Sequence, residues 1–209
     1  MDRFSDEAAG WDEKPGHADR ARSVAGVVRS AVPLRPDMSV LEIGGGTGLL
    51  ARALAEDIGT AVVTDVAPGM VEVATSVLDD PRYAGWSARL FDVEHDELPA
   101  ERYDLVLALL ALHHMGDVAA VIDRCGRLLA PAGHLALIDL DHDADGAFHA
   151  HVHDFDGHNG FRREHVAGWF DSAGLVDVAT ADAGVVDKEG ADGAPAQFPM
   201  FIATGRRPE

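Results

Sequence analysis

The sequence predicts an α/β fold: a single domain with a seven-stranded, mostly parallel sheet, helices on both faces, and the last strand antiparallel. Three observations carry this. Short apolar runs alternate with amphipathic stretches at strand–helix spacing through residues 39–139. Residues 103–110 are apolar almost without interruption, as in a strand covered on both faces. The chain has 209 residues, 47% of them hydrophobic, which suits one domain with a full core.

The elements follow in order. Residues 17–32 hold a helical pattern with Ala21, Val24, Ala25 and Val28 on one face, and Pro33 and Pro36 then break the chain. Residues 39–43 read as a strand running into a glycine cluster, with a helix over 49–56. A second strand over 61–64 ends at Asp65 and leads to a helix over 66–78. A third strand over 86–91 ends at Asp92, and 103–110 is the fourth. Asp117 caps a helix whose Val118, Val121, Ile122, Cys125 and Leu129 form one stripe. Pro131, Ala132 and Gly133 end it before a fifth strand over 134–139. Residues 140–160, rich in Asp, His and Gly without period, read as a lid loop. A helix over 161–173 stops at Gly174. Strands over 175–180 and 200–204 close the fold after five strand–helix units. Residues 1–32 read as a helical flap on the domain formed by 33–209.

Charge narrows the partners. Lys and Arg number 17 against 36 Asp and Glu, a formal charge of −19. Such a surface repels nucleic-acid phosphates, so no nucleic-acid partner is expected. No apolar run approaches the roughly 20 residues of a membrane span, and the acidic N-terminus does not read as a signal peptide. With Cys125 the single cysteine, the chain is expected to be cytoplasmic, and a monomer or homodimer.

The strongest signal is the E-x-G-x-G-x-G pattern of Glu42, Gly44, Gly46 and Gly48, with Gly45 between them. It stands at the carboxyl end of the first strand, where open α/β sheets bind ligands. The dinucleotide fingerprint G-x-G-x-x-G needs a glycine at Leu49, and no phosphate-loop G-x-x-x-x-G-K-[ST] is present. Asp65 and Asp92 end the next two strands, where carboxylates can accept hydrogen bonds from ribose hydroxyls and from an adenine amine.

These residues resemble the class I S-adenosylmethionine-dependent methyltransferases, near the ubiquinone/menaquinone C-methyltransferases. The motif-level similarity covers roughly residues 38–140, including the segment from Arg127 to Leu135, which resembles R-x-L-x-P-G-G-x-L with Ala132 in place of a glycine. The resemblance implies a Rossmann-like methyltransferase fold and S-adenosylmethionine as cofactor. It implies that the glycine loop supports the methionine part and Asp65 the ribose. Val66 and Met70 would flank the adenine, Asp92 followed by Val93 would read its amine, and Leu109 would lie under the cofactor. His114 would wall the methyl-transfer site.

The acceptor is expected to be a small molecule. Residues 108–111 lack the [DNS]-P-P-[YFW] segment of nucleic-acid amino-methylating enzymes, and one cysteine argues against arsenic methylation. Histidine suits a general base near neutral pH, and seven of the eleven fall between His134 and His165. His114 and His149 are the candidates for catalysis, with His151 and His153 beside them. No metal site is assigned. Asp141, Asp143 and Asp145 imitate the start of a calcium loop, but Val152 occupies the position of its bidentate Glu. A transition-metal site from His149, His151, His153 and Asp154 or Asp156 is the alternative. Competing functions are a non-catalytic binder of S-adenosylmethionine or S-adenosylhomocysteine and a nicotinamide-dependent oxidoreductase.

Overall fold

The computed structural model describes residues 3–190 and 193–209. A seven-stranded sheet runs in the order β3-β2-β1-β4-β5-β7-β6. Its strands are β1 (Ser39–Glu42), β2 (Thr60–Asp65), β3 (Ser87–Leu90), β4 (Tyr103–Leu109), β5 (Leu129–Leu140), β6 (Val176–Glu189) and β7 (Pro195–Arg206). Neighbours β1 to β5 pair in parallel, and β7 runs antiparallel to both β5 and β6. The fold class read from sequence is therefore the fold observed.

Period-two alternation divides the core. Leu105 and Leu107 of β4 pack with α2 (His17–Ala31), α3 (Leu49–Ala53) and α4 (Pro68–Leu78) on one face. Val106 and Ala108 pack with α5 (Val118–Leu128) and α6 (Arg163–Ser172) on the other. The stripes of α2 and α5 are buried as their spacing requires, and the Asp117 carboxylate accepts the Ala120 N–H at 3.0 Å to cap α5. A third cluster of Ala8, Ala67 and Met70, with Phe4, Trp11 and Val73 against it, fastens α1 (Arg3–Glu7) and the turn after it onto α4.

Several details differ from the sequence reading. The third strand has no following helix: residues 91–102 turn around Asp92 and Asp96, since Glu94, His95, Glu97 and Pro99 leave no apolar stripe. Helix α3 stops at Ala53, and α4 starts only at Pro68, whose fixed φ suits a first turn. Residues 131–133 lie inside β5 as a register shift against β4, with Ala132 at φ 61°. The final hairpin is much longer than expected: β6 is mostly exposed, with Ala183 and Val186 buried among residues such as Asp187 and Lys188, so no apolar run marks this edge strand. Residue 140 ends β5, and residues 141–160 are irregular apart from one short turn, Ala147–His149.

The strand order reverses between β1 and β4, which opens a crevice at their carboxyl ends.

Candidate active site

The loop after β1 builds one end of this crevice. Ile43 N–H donates to Leu107 O at 2.8 Å, which ties β1 to β4 as the chain turns away. Gly44 has φ 59°, and a Cβ there would stand 2.6 Å from Ala111 Cβ. Both the backbone conformation and the close approach exclude a side chain. Gly45 packs directly on Glu42, leaving 2.8 Å to a built Cβ. Glu42 is buried, and its Oε2 accepts the Ala51 N–H at 3.2 Å in the first turn of α3. Burial pushes its carboxyl pKa up to about 8, only partly countered by that hydrogen bond.

Asp65 joins the two halves of this end. Its Oδ2 accepts the Gly46 N–H at 2.8 Å, and its Oδ1 accepts the Ala67 N–H at 2.9 Å. Beside it Val66 is 61% exposed, an apolar side chain held out in the crevice, while Met70 is buried under Gly46. Asp92 accepts N–H groups from Glu94 and His95 and faces the His95 ring nitrogen at 2.9 Å. Burial alone would raise its pKa, but the His95 contact and the Glu94 N–H hold it below the ordinary value. Val93 is buried behind it.

All these groups line one cavity of about 730 Å³, within the roughly 300–1,000 Å³ of small-molecule sites. Glu42, Gly44, Gly45, Gly46, Asp65, Val66, Met70, Asp92, Val93, Leu109, His114 and His149 are brought together there. Gly48 is not among the lining residues. It caps α3 at φ 81°, with a built Cβ only 2.9 Å from Val63, so it shapes the loop from outside.

The N-terminal segment closes one side. Asp12 binds the Thr47 hydroxyl and the Arg52 guanidinium, which pins the segment to the glycine loop. Trp11 lies near Gly46 and packs against His17 at 4.6 Å between ring centroids. Arg20, missed in the sequence reading, lines the cavity, and its guanidinium makes no hydrogen bond or ion pair among the described residues. Burial lowers its pKa. An unpartnered guanidinium in such a place fits a carboxylate ligand.

The far end is aromatic and imidazole-rich. His113 is buried, and its Nδ1 meets Asp139 Oδ1 at 2.7 Å. Asp139 also accepts the backbone N–H groups of Leu140 (2.7 Å) and His113 (3.3 Å). Its place in the strand carried the missed signal: Asp139 stands at the carboxyl end of β5, as Asp65 ends β2 and Asp92 follows β3. His114 faces the cavity between the edges of Phe4 and Phe155. Desolvation by the surrounding cavity walls, with His113 beside it, pulls its pKa to about 4 although its surface is open to the cavity. His149 stacks on Phe155 at 3.6 Å, and burial, then His113 and His114, pull it to about 3. Lys188, also missed, reaches in from β6 to donate to Phe148 O at 2.8 Å, and burial lowers its pKa to about 8. The lid cluster does not assemble as the alternative metal site: His151 and His153 are exposed, His153 pairs with Asp154, and the histidines that converge with His149 are 113 and 114.

Residues 17–180 match the family model described as a methyltransferase domain. The chain belongs to this family, the class I S-adenosylmethionine-dependent methyltransferases. Among curated proteins, this methyltransferase is 36% identical over 151 residues to the biotin biosynthesis bifunctional protein BioCD of Bordetella avium, covering 71% of this chain and 30% of that one. It thus spans less than a third of that relative. Among solved structures, a S-adenosylmethionine-dependent methyltransferase from Aquifex aeolicus superposes with a TM-score of 0.67 at 17% identity, covering 97% of each chain. Phosphoethanolamine N-methyltransferase 2 of Haemonchus contortus, solved with S-adenosylmethionine, superposes at 0.73 with 14% identity, covering 100% of this chain and 61% of that one. The cofactor is S-adenosylmethionine, and the residues present fit it: a side-chain-free loop, a carboxylate at the β2 end, an exposed apolar wall at Val66 and an unpartnered Arg20.

Proposed function

We propose that this methyltransferase carries the methyl group to a nucleophilic atom of a small-molecule acceptor held against His113, His114 and His149. One observation carries the reading: a single cavity has the glycine loop and Asp65 at one end and the three imidazoles at the other. When bound, the cofactor supplies a sulfonium methyl open to in-line displacement. The protein's task is to align the partners and exclude water.

On this reading Gly44, Gly45 and Gly46 carry the methionine part, with Arg20 on its carboxylate, while Glu42 and Gly48 hold the loop's shape. Asp65 takes the ribose hydroxyls. Val66 and Met70 flank the adenine, Asp92 backed by Val93 accepts its amine, and Leu109 underlies the cofactor. His114 and His149, both neutral at pH 7, wall the acceptor's reacting atom and can accept a hydrogen bond or proton from it. Residues 1–32 act as a flap over the domain formed by 33–209, with 140–160 as the lid. Contacts of Ser5 with Gly69, and of Asp12 with Thr47, support the flap.

The −19 charge supports a metabolite over a nucleic acid. Among the described residues no helix is long and apolar enough to cross a membrane. A cytoplasmic monomer or homodimer is the corresponding proposal. The test is incubation with methyl-labelled S-adenosylmethionine and a panel of small alcohols, amines, thiols, carboxylates and activated carbon acids. Label transfer that falls in His149→Ala is expected. Tight cofactor binding with no transfer across the panel favours a non-catalytic binder instead.

A further inference from the structure

The imidazole end of the cavity is also a set of metal ligands. One ring nitrogen from each of His113, His114 and His149 lies within 4.8 Å of those of the other two. A tetrahedral ion with bonds of about 2.0–2.1 Å to imidazole sets its nitrogens about 3.4 Å apart, so side-chain rotations moving them by about an ångström close the set. Two of the three rings already stand as ligands do.

His113 is oriented from behind. Asp139 is 1% exposed and holds His113 Nδ1, which leaves Nε2 as the donor. A carboxylate behind an imidazole fixes its tautomer and raises its basicity, the usual support for a metal-bound histidine. Two backbone N–H groups keep that carboxylate in place. His149 supplies a second, independent sign. Its side chain is buried at 6% exposure, and its Nδ1 has no hydrogen-bond partner. Buried polar atoms are nearly always satisfied, so an orphan nitrogen on a ring whose centroid lies 5.0 Å from that of His113 and 5.9 Å from that of His114 calls for an electrophilic partner. His114 completes the set from the cavity side, with ring edges of Phe4 and Phe155 against it and, among the described residues, no competing carboxylate pair.

We propose that His113, His114 and His149 bind one divalent first-row transition metal, zinc or a close relative, with a coordination position open to the cavity. All-imidazole donors select such ions over magnesium or calcium, and three histidines with an open position match catalytic rather than structural zinc geometry. An acceptor would then bind through an oxygen, nitrogen or sulfur lone pair on the ion. That last role rests on the methyl-transfer reading; the ion binding does not.

A second group of possible ligands, Asp92, Glu94 and His95, provides an internal control. Its ring nitrogen is already engaged with Asp92. The experiment titrates chelator-stripped full-length protein with Co²⁺, following visible d–d absorption, and measures bound Zn²⁺ by elemental analysis after dialysis. About one ion per chain with a tetrahedral cobalt spectrum is expected. His149→Ala and His114→Ala should each weaken binding by about 100-fold or more, and Asp139→Asn by about 10–100-fold. His95→Ala should leave it unchanged. His114 faces the cavity, so its removal opens no core hole and its thermal melt should match the parent. Absence of saturable binding, or binding lost in His95→Ala but kept in His114→Ala, would overturn the proposal. Calorimetric titration with S-adenosylhomocysteine, run in parallel, separates the two claims: cofactor binding without metal overturns only the metal site, and metal without cofactor binding overturns only the methyl-transfer reading.

Discussion

The two ends of the cavity are built in opposite ways. The glycine-loop end is assembled from short-range pieces: Glu42 supports the loop a few residues on, and Asp65 is fixed by backbone N–H groups of Gly46 and Ala67. The imidazole end is assembled from three distant segments, the end of β4, the end of β5 and the lid turn at Ala147–His149, with β6 adding Lys188. The first is a preformed mould for a fixed ligand. The second can change with the lid and hairpin while the sheet stays the same, which is how one fold serves many acceptors.

This contrast can be broken by substitution. The largest effect is expected from Asp65→Ala, which removes a charged acceptor and should weaken S-adenosylhomocysteine binding about 100-fold by calorimetry. His149→Ala should change the same affinity by less than about threefold, since it sits at the other end. If both variants lose binding equally, the two ends are not independent. Arg20→Ala comes next, with a loss of about tenfold if its guanidinium receives a carboxylate. Binding unchanged in that variant would return Arg20 to a packing role.

A smaller effect sharpens the picture of Glu42. Its folded pKa of about 8 exceeds the ordinary 4.5, so between those values the native state keeps a proton that the unfolded chain has lost. Stability therefore falls as pH rises through that window. Glu42→Gln keeps an acceptor for Ala51 N–H without the charge. Its stability relative to the parent should grow steadily as pH rises from 5 to 8, read from denaturant midpoints. Equal pH profiles would mean that Glu42 ionises without cost. The smallest change is Ala132→Gly. Relief of the φ 61° backbone should raise stability by up to about 0.5 kcal/mol, or about 1–2 °C in Tm. A drop in Tm would show that Ala132 contributes more through its methyl group than it costs through its backbone.

How much was legible in the sequence follows the same division. The mostly parallel sheet and the grouping of the glycine loop with the strand-end carboxylates were readable because strand periodicity, glycine spacing and strand-end carboxylates are local signals. Helix boundaries slipped where local chemistry outweighed pattern, as at Pro68 and at the turn after Asp92. The imidazole end was only half readable. His114 and His149 were singled out, but the pairing of His113 with Asp139 spans 26 residues and two strands, and only the parallel register of β4 and β5 brings them together. Lys188 was hidden for another reason. Its strand lies at the sheet edge with mostly exposed residues, so no apolar run marked it. Arg20 was missed because nothing local distinguishes a desolvated arginine from a solvated one.

The central claim is that the glycine-loop end binds the methyl-donor cofactor through Asp65. Calorimetric titration of the purified chain with S-adenosylhomocysteine, with NAD as the control ligand, tests it most directly. The account predicts binding in about the micromolar range for the first, no heat from NAD, and loss of binding in Asp65→Ala while His149→Ala still binds. Heat from NAD alone, or an Asp65→Ala variant that binds S-adenosylhomocysteine as the parent does, would contradict it.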